Sequence, residues 1–249
     1  MVHETFGDFT RWNSQVQALE TAGKVTRTFR RLDQPRQWAV VEALLTEAAE
    51  HGPGGLNVKR VAGRAGVAVG SLYQYFPRRS EMLDVAARLA AQALVESLDG
   101  YSAQLAQLPL REALVAYLIG GVEWSRQFAG PLTVFARAAY EGDPRFADDL
   151  VGPVASSMLA VVTAIFTAAQ ARGDLRSDVD LDATARLTNT LLIAVADAAL
   201  LPHLNRYYLL IGSESPAGGL RPPEQVTAVL QQTVDFVISA VGVVDDATR

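Results

Sequence analysis

Leu56 to Leu83 reads LNVKRVAGRAGVAVGSLYQYFPRRSEML, and this stretch decides the fold. Asn57 is a good N-cap for a short helix in which Val58, Val61, Ala62 and Ala65 share one face and Lys59, Arg60 and Arg64 point outward. Gly66 ends that helix. A second, very short helix is expected from about Val69 to Phe76, and Pro77 prevents its continuation. Val69, Leu72 and Phe76 are spaced to face a core, which leaves Gly70, Ser71, Gln74 and Tyr75 on the outer side. Two short helices joined by a tight glycine-containing turn form a helix-turn-helix, and the second has the make-up of a recognition helix. Small residues at its leading end, Val69 and Gly70, let backbone approach base edges. Ser71, Tyr73, Gln74 and Tyr75 offer hydroxyl and amide groups that suit phosphate contacts.

Upstream, about Arg36 to His51 forms a packing helix with Val41, Leu44, Leu45 and Ala48 on one face, and Gly52 is placed to end it in a left-handed conformation. Ahead of this helix lie some 33 residues. Lys24, Arg27, Arg30 and Arg31 suit a basic arm that follows phosphates or enters a minor groove. Phe6, Phe9, Trp12, Val16 and Leu19 suit instead a packed helical leader, and the sequence leaves both readings open.

Charge follows the same division. The chain of 249 residues carries a net charge of -5, yet Lys24 to Ser80 holds ten Lys and Arg against four Asp and Glu, and Glu81 onward holds 11 against 20. A basic head on an acidic body is the layout of a protein that touches phosphates at one end.

The segment from Leu56 to Leu83 resembles the DNA-binding segment of TetR/AcrR-family repressors. The resemblance rests on Val61-Ala62, Ala65-Gly66-Val67, Gly70-Ser71-Leu72-Tyr73, Tyr75-Phe76-Pro77 and Arg79, and in detail it spans Arg36 to Leu89. It implies that Lys59, Val69, Gly70 and Tyr73 face bases, and that Ser71, Gln74, Tyr75 and Arg79 face the DNA backbone. On the helical wheel Tyr73 also lies near the apolar edge, so a partly buried packing role competes with DNA contact for it. Two positions depart from the family pattern. Ala68 stands where a Ser usually caps the recognition helix, removing a bond worth about 1 kcal/mol. Arg79 replaces the usual Lys and keeps the charge.

After Pro35 apolar residues recur at helical spacing, strand signals are almost absent, and Gly and Pro cut the chain into roughly nine or ten helices, so the fold class is all-α. Three parts are expected: an N-terminal extension with a basic arm (1–34), a helix-turn-helix domain (35–82) and a helical bundle (83–249). In the bundle a connecting helix of about Ser80 to Leu98 precedes Leu110 to Phe128, Pro131 to Tyr140, Pro153 to Ala171, Leu181 to Pro202 and Pro223 to Val241. The resemblance implies that this bundle binds an inducer and forms a homodimer through its last two long helices. Trp124, Phe128, Phe135, Tyr140, Met158 and Phe166 are candidates to line a cavity for a small apolar molecule, although the same spacing suits plain core. Glu123, Arg137, Asn189 and Asp197 lie in apolar helices, where burial without partners costs several kcal/mol, so each needs a partner.

Other classes lose ground on composition. There are no cysteines, and His3, His51 and His203 are scattered, so no metal, cofactor or redox chemistry is expected. HExxH, GxSxG, a P-loop and a dinucleotide fingerprint are missing, so no catalytic residues are assigned. The longest apolar run, Leu191 to Leu201, is broken by Asp197 and falls short of the ~20 residues that span a bilayer, and the first twelve residues do not read as a secretory signal. The expectation is a cytoplasmic regulator without membrane attachment, a repressor of a pseudo-palindromic duplex released by an apolar inducer. A helix-turn-helix protein that binds DNA constitutively, or an adaptor, stands as the alternative.

Overall fold

In the computed structural model the described residues are 10–141, 144–200 and 223–243. Twelve helices run through them: α1 (Thr10–Thr21), α2 (Arg27–Arg30), α3 (Gln34–His51), α4 (Val58–Ala65), α5 (Val69–Tyr75), α6 (Met82–Leu105), α7 (Leu110–Gln127), α8 (Ala129–Glu141), α9 (Pro144–Phe146), α10 (Gly152–Arg172), α11 (Leu181–Leu200) and α12 (Pro223–Val241). The all-α expectation holds. The described residues contain one isolated antiparallel bridge, Leu175 with Gly242, and no strand.

The chain folds as two compact units, Met1–Ser97 with Phe128–Ala155, and Leu98–Gln127 with Ser156–Arg249. In the first unit α3 is the central element, with Val40, Val41, Leu44 and Leu45 wholly buried. α8 lies against it so closely at Gly130 that a Cβ there would come within 2.6 Å of the Thr46 hydroxyl. Phe128 sets its ring edge-on to Trp38 at 5.7 Å, and Trp38 in turn meets Trp12 of α1 at 5.9 Å. Arg137 donates to the Ala49 carbonyl near the end of α3, where a cation complements the helix dipole. That contact supplies a partner for one nitrogen of the Arg137 guanidinium. A 3₁₀ turn, Arg79–Glu81, leads into α6, and a π-turn, Ala147–Val151, leads into α10.

The second unit packs Leu98, Leu114, Val162, Ile165, Phe166, Leu192 and Val234 into one core drawn from α6, α7, α10, α11 and α12. Arg172 closes one end of it by donating to the Ala106 carbonyl (2.8 Å) and the Leu108 carbonyl (2.7 Å). By length and composition Ala147–Arg172 is apolar enough to cross a membrane, a test that a buried core helix also passes. Val161, Val162, Ile165, Phe166 and Ala169 of this helix all lie in the core of the second unit.

Several boundaries differ from the sequence reading. α3 starts at Gln34 because Asp33 caps it, accepting from the Arg36 amide at 3.0 Å, and Pro35 fits the first turn. The connecting helix runs on to Leu105, seven residues past its expected end. The leader is packed rather than loose: Trp12, Val16, Leu19, Val25 and Phe29 are buried. Phe6 and Phe9 lie outside the described residues.

Candidate nucleic-acid interface

Local chemistry accounts for the shape of the head. The Asn57 side chain accepts from the amides of Lys59 (3.0 Å) and Arg60 (3.3 Å), which opens α4. Gly66 closes α4 with φ +66° and ψ 30°, the left-handed conformation that glycine adopts at little cost. Ala68 precedes α5 without a side-chain capping bond.

α4 is bound to α3 through a buried carboxylate. Glu47 has a wholly buried side chain and accepts from Arg60 Nε (2.7 Å) and from the Asn57 amide (3.2 Å). His51 Nδ1 lies 3.6 Å and Arg64 Nε 3.8 Å from its oxygens. The Arg60 hydrogen bond holds the Glu47 carboxyl below its ordinary value against the opposing effect of burial. Ligand atoms of Glu47, Glu50 and His51 converge within 4.8 Å, but the two carboxylates are already met by Arg60 and Arg64. The outward basic residues of α4 thus divide: Arg60 and Arg64 are ion-paired, while Lys59 is exposed.

On α5 the exposed face carries Val69 (37% exposed), Gly70, Tyr73 (52%) and Gln74, with Ser71 half-buried. Tyr73 therefore stands in solvent and not in the core. Val69, in the first turn, is also on the open side, and Leu72 and Phe76 point inward as the spacing indicates. A Cβ at Gly70 would meet nothing within 4 Å. Tyr75 departs from the expectation. It is only 7% exposed, and its ring lies 6.0 Å from Phe29, a residue of the leader that covers the side assigned to solvent. Arg79 is exposed, with its guanidinium donating to the Leu56 carbonyl at 2.9 Å, so its position is set by the loop ahead of α4.

The basic surplus is thinner than the count of charges indicates. Lys24 and Arg78 both pair with Glu81, Arg30 pairs with Glu20, and Arg36 with Asp33. Among the described residues no ion pair is made to Arg27, Arg31, Lys59 or Arg79, all of them exposed.

The six candidate cavity residues do not gather in one unit. Phe128, Phe135 and Tyr140 belong to the first, where Phe128 is buried against Trp38 and Tyr140 is 43% exposed. Trp124, Met158 and Phe166 belong to the second, the first two partly buried against its core and Phe166 within it. Asn189 Oδ1 and Ser157 Oγ are buried without a hydrogen-bond partner among the described residues. Burial of the Tyr117 phenol pushes its pKa up. Glu123 and Asp197 lie outside the described side chains.

Comparison with known proteins bears on the same head. Residues 40–86 match the family described as bacterial regulatory proteins, tetR family. No curated protein sequence matches the chain. Among solved structures, a TetR family transcriptional regulator from Chloroflexus aurantiacus J-10-FL is 20% identical, with 89% of this chain and 100% of that chain covered and a TM-score of 0.59. A ketosteroid transcriptional regulator of Mycobacterium tuberculosis is 17% identical, covering 86% and 98%, with a TM-score of 0.51. The Bacillus subtilis transcriptional regulator FadR, solved in complex with stearoyl-CoA, is 15% identical, covering 81% and 97%, with a TM-score of 0.53. At these identities the likeness is one of fold.

Proposed function

We propose that this chain, a member of the tetR family of bacterial regulatory proteins through its head of residues 40–86, is a ligand-responsive repressor that reads duplex DNA with α5. The observation that carries the reading is the exposed face of α5. Val69, Gly70, Tyr73 and Gln74 fall on adjacent positions of one face, and among the described residues nothing lies within 4 Å of a Cβ placed on Gly70. Gly70 lies in the first turn of α5, where the lack of a side chain lets a base pair approach the backbone closely. In this reading Lys59, Val69, Gly70 and Tyr73 face bases, while Ser71, Gln74 and Arg79 face phosphates, with Arg27 and Arg31 available beside them. Tyr75, with its ring buried, drops out of the interface.

The second unit supplies the dimer and the sensor. Leu187 (73% exposed, on α11) and Phe236 (68% exposed, on α12) are large apolar side chains left in water, as expected of helices whose partner is a second copy of the chain. The polar atoms of Asn189 and Ser157, buried without partners among the described residues, offer anchors for a ligand in the second unit, with Trp124, Met158 and Phe166 as its apolar contacts. The stearoyl-CoA held by FadR supports a ligand with a long apolar chain for a body of this fold. α6 serves as the lever in this proposal: its first part belongs to the first unit and its last to the second, as is also true of α10. A ligand that prefers a conformation with misplaced recognition helices lowers DNA affinity by that preference and no more.

The experiment is Gly70→Glu, which adds a negative side chain where the protein itself has room. The variant should melt like the wild type and lose duplex binding. Retained binding would remove α5 from the DNA interface.

A further inference from the structure

Seven residues are too few for α5 to be stable alone, since isolated helices below about 12 residues are marginal in water. Its N-terminal end lacks a side-chain cap at Ala68. Its C-terminal end is held instead, and by a segment far away in the chain. The Thr26 hydroxyl donates to the Gln74 carbonyl at 2.5 Å, and the Thr26 amide donates to the Tyr75 carbonyl at 2.9 Å. Both acceptors are end-of-helix carbonyls with no partner inside the helix. Phe29, wholly buried, packs its ring at a tilt against Tyr75 and, at 5.4 Å, against Phe76. Lys24 reaches the Glu81 carboxylate, which Arg78 also binds.

The holding segment is itself fixed. Val25 is buried, and Gln37 of α3 donates to the Phe29 carbonyl at 3.1 Å and the Arg30 carbonyl at 3.3 Å. Gln37 in turn accepts from the Trp12 indole at 2.6 Å. An unbroken set of contacts thus runs from α1 and α3 to the last turn of α5.

We propose that Lys24 to Phe29 is a clamp for the recognition helix, in which Thr26 is a positioning residue that sets operator affinity by holding the C-terminal end of α5 without contacting DNA. The inference rests on the DNA-reading role of α5. Apparent affinity scales with the fraction of heads whose helix is in place, so loosening the clamp weakens binding in proportion to the fraction lost. The same segment read as a phosphate-binding arm would act through charge, and of its two cations, Lys24 and Arg27, Lys24 is already paired within the head.

The test compares the full chain with Thr26→Val, which keeps the shape and loses the hydroxyl, and Thr26→Ser, which keeps the hydroxyl. The probes are a duplex selected by the wild type from random 30-base-pair DNA and an unselected duplex of the same length. Thr26→Val also removes the acceptor that caps α2 at the Phe29 amide (3.4 Å), so amide exchange over Leu72 to Phe76 should accelerate at least about fivefold, the factor expected for the hydrogen bond to Gln74 alone, with Val41 to Leu45 of α3 unchanged. Affinity for the selected duplex should fall by up to the same factor at an unchanged salt slope, and Thr26→Ser should restore both. Lys24→Met, which cuts the Glu81 strap from a half-exposed position, is the second variant and carries the same expectation.

Unchanged exchange in Leu72 to Phe76, failure of Thr26→Ser to rescue, or equal acceleration throughout the head would overturn the clamp. A reduced salt slope with unaltered exchange would replace it with an arm. If the wild type selects no duplex, the DNA-reading role falls, while the exchange comparison still decides whether Thr26 holds α5.

Discussion

Glu47→Gln isolates the ion-paired joint between α3 and α4. The carboxylate is wholly buried, takes a hydrogen bond from Arg60 at 2.7 Å and one from the Asn57 amide, and has Arg64 at 3.8 Å. Glutamine keeps the shape and an acceptor for Asn57 but loses the charge-assisted bond, a loss of about 2 kcal/mol. In a chain of this size that lowers the melting temperature by roughly 4–8 °C. Arg60→Met should be worse, because burial is unequal: Arg60 is 44% exposed and rehydrates when Glu47 is neutralised, whereas Glu47 left without Arg60 remains a buried charge. The double variant should then cost less than the two single costs combined. The pH dependence has a definite sign. With its carboxyl held below the ordinary value of 4.5, the folded state binds the proton more weakly than the unfolded state does, so this stability is present above pH 4.5 and is lost as pH falls through the lowered value. Urea unfolding of wild type and Glu47→Gln should therefore show a constant gap near neutrality that narrows below about pH 4.5. A gap that widens on acidification, or an Arg60→Met variant as stable as the wild type, would refute the reasoning.

Arg79→Ala should weaken selected and unselected duplexes alike and reduce the salt slope by about one per subunit, whereas Lys59→Ala should chiefly reduce discrimination between them. Equal losses for Lys59→Ala on both duplexes would deny it a base contact. Phe236→Asp or Leu187→Asp places a charge on the exposed apolar face of α12 or α11, and each should sediment as a monomer with little change in helicity; persistence of a dimer would move the interface elsewhere. An apolar compound that raises the melting temperature should bind free protein more tightly than DNA-bound protein, by the factor with which it weakens DNA. Equal affinities by calorimetric titration would leave a constitutive DNA-binding protein.

How much the sequence discloses depends on how local the cause is. The opening of α4 by Asn57, its closure by Gly66 and the inward turn of Leu72 and Phe76 are each set within four or five residues, and the expected and observed positions agree. Tyr75 shows the limit. A helical wheel places it outward, and only Phe29, 46 positions away, makes that side interior. The leader posed the same problem on a larger scale: its arginines and its aromatics supported opposite readings, and the choice rests on Trp38 of α3 meeting both Trp12 of α1 and Phe128 in the turn before α8. Ion pairing was equally hidden, since Arg60 and Arg64 look outward on the wheel yet converge on a carboxylate that α3 delivers. A signal was available in Glu47, a charged residue among Leu44, Leu45 and Ala48 on the apolar side of α3, which needed a cationic partner.

The central claim is that two copies of α5 read a two-fold duplex, and selection from random 30-base-pair DNA by the full chain, followed by sequencing, tests it most directly. The account predicts enrichment of an inverted repeat whose half-sites are spaced by about one helical turn or slightly more, with enrichment abolished by Gly70→Glu. Recovery of sequences without an inverted repeat, or the same enrichment from Gly70→Glu, would contradict it.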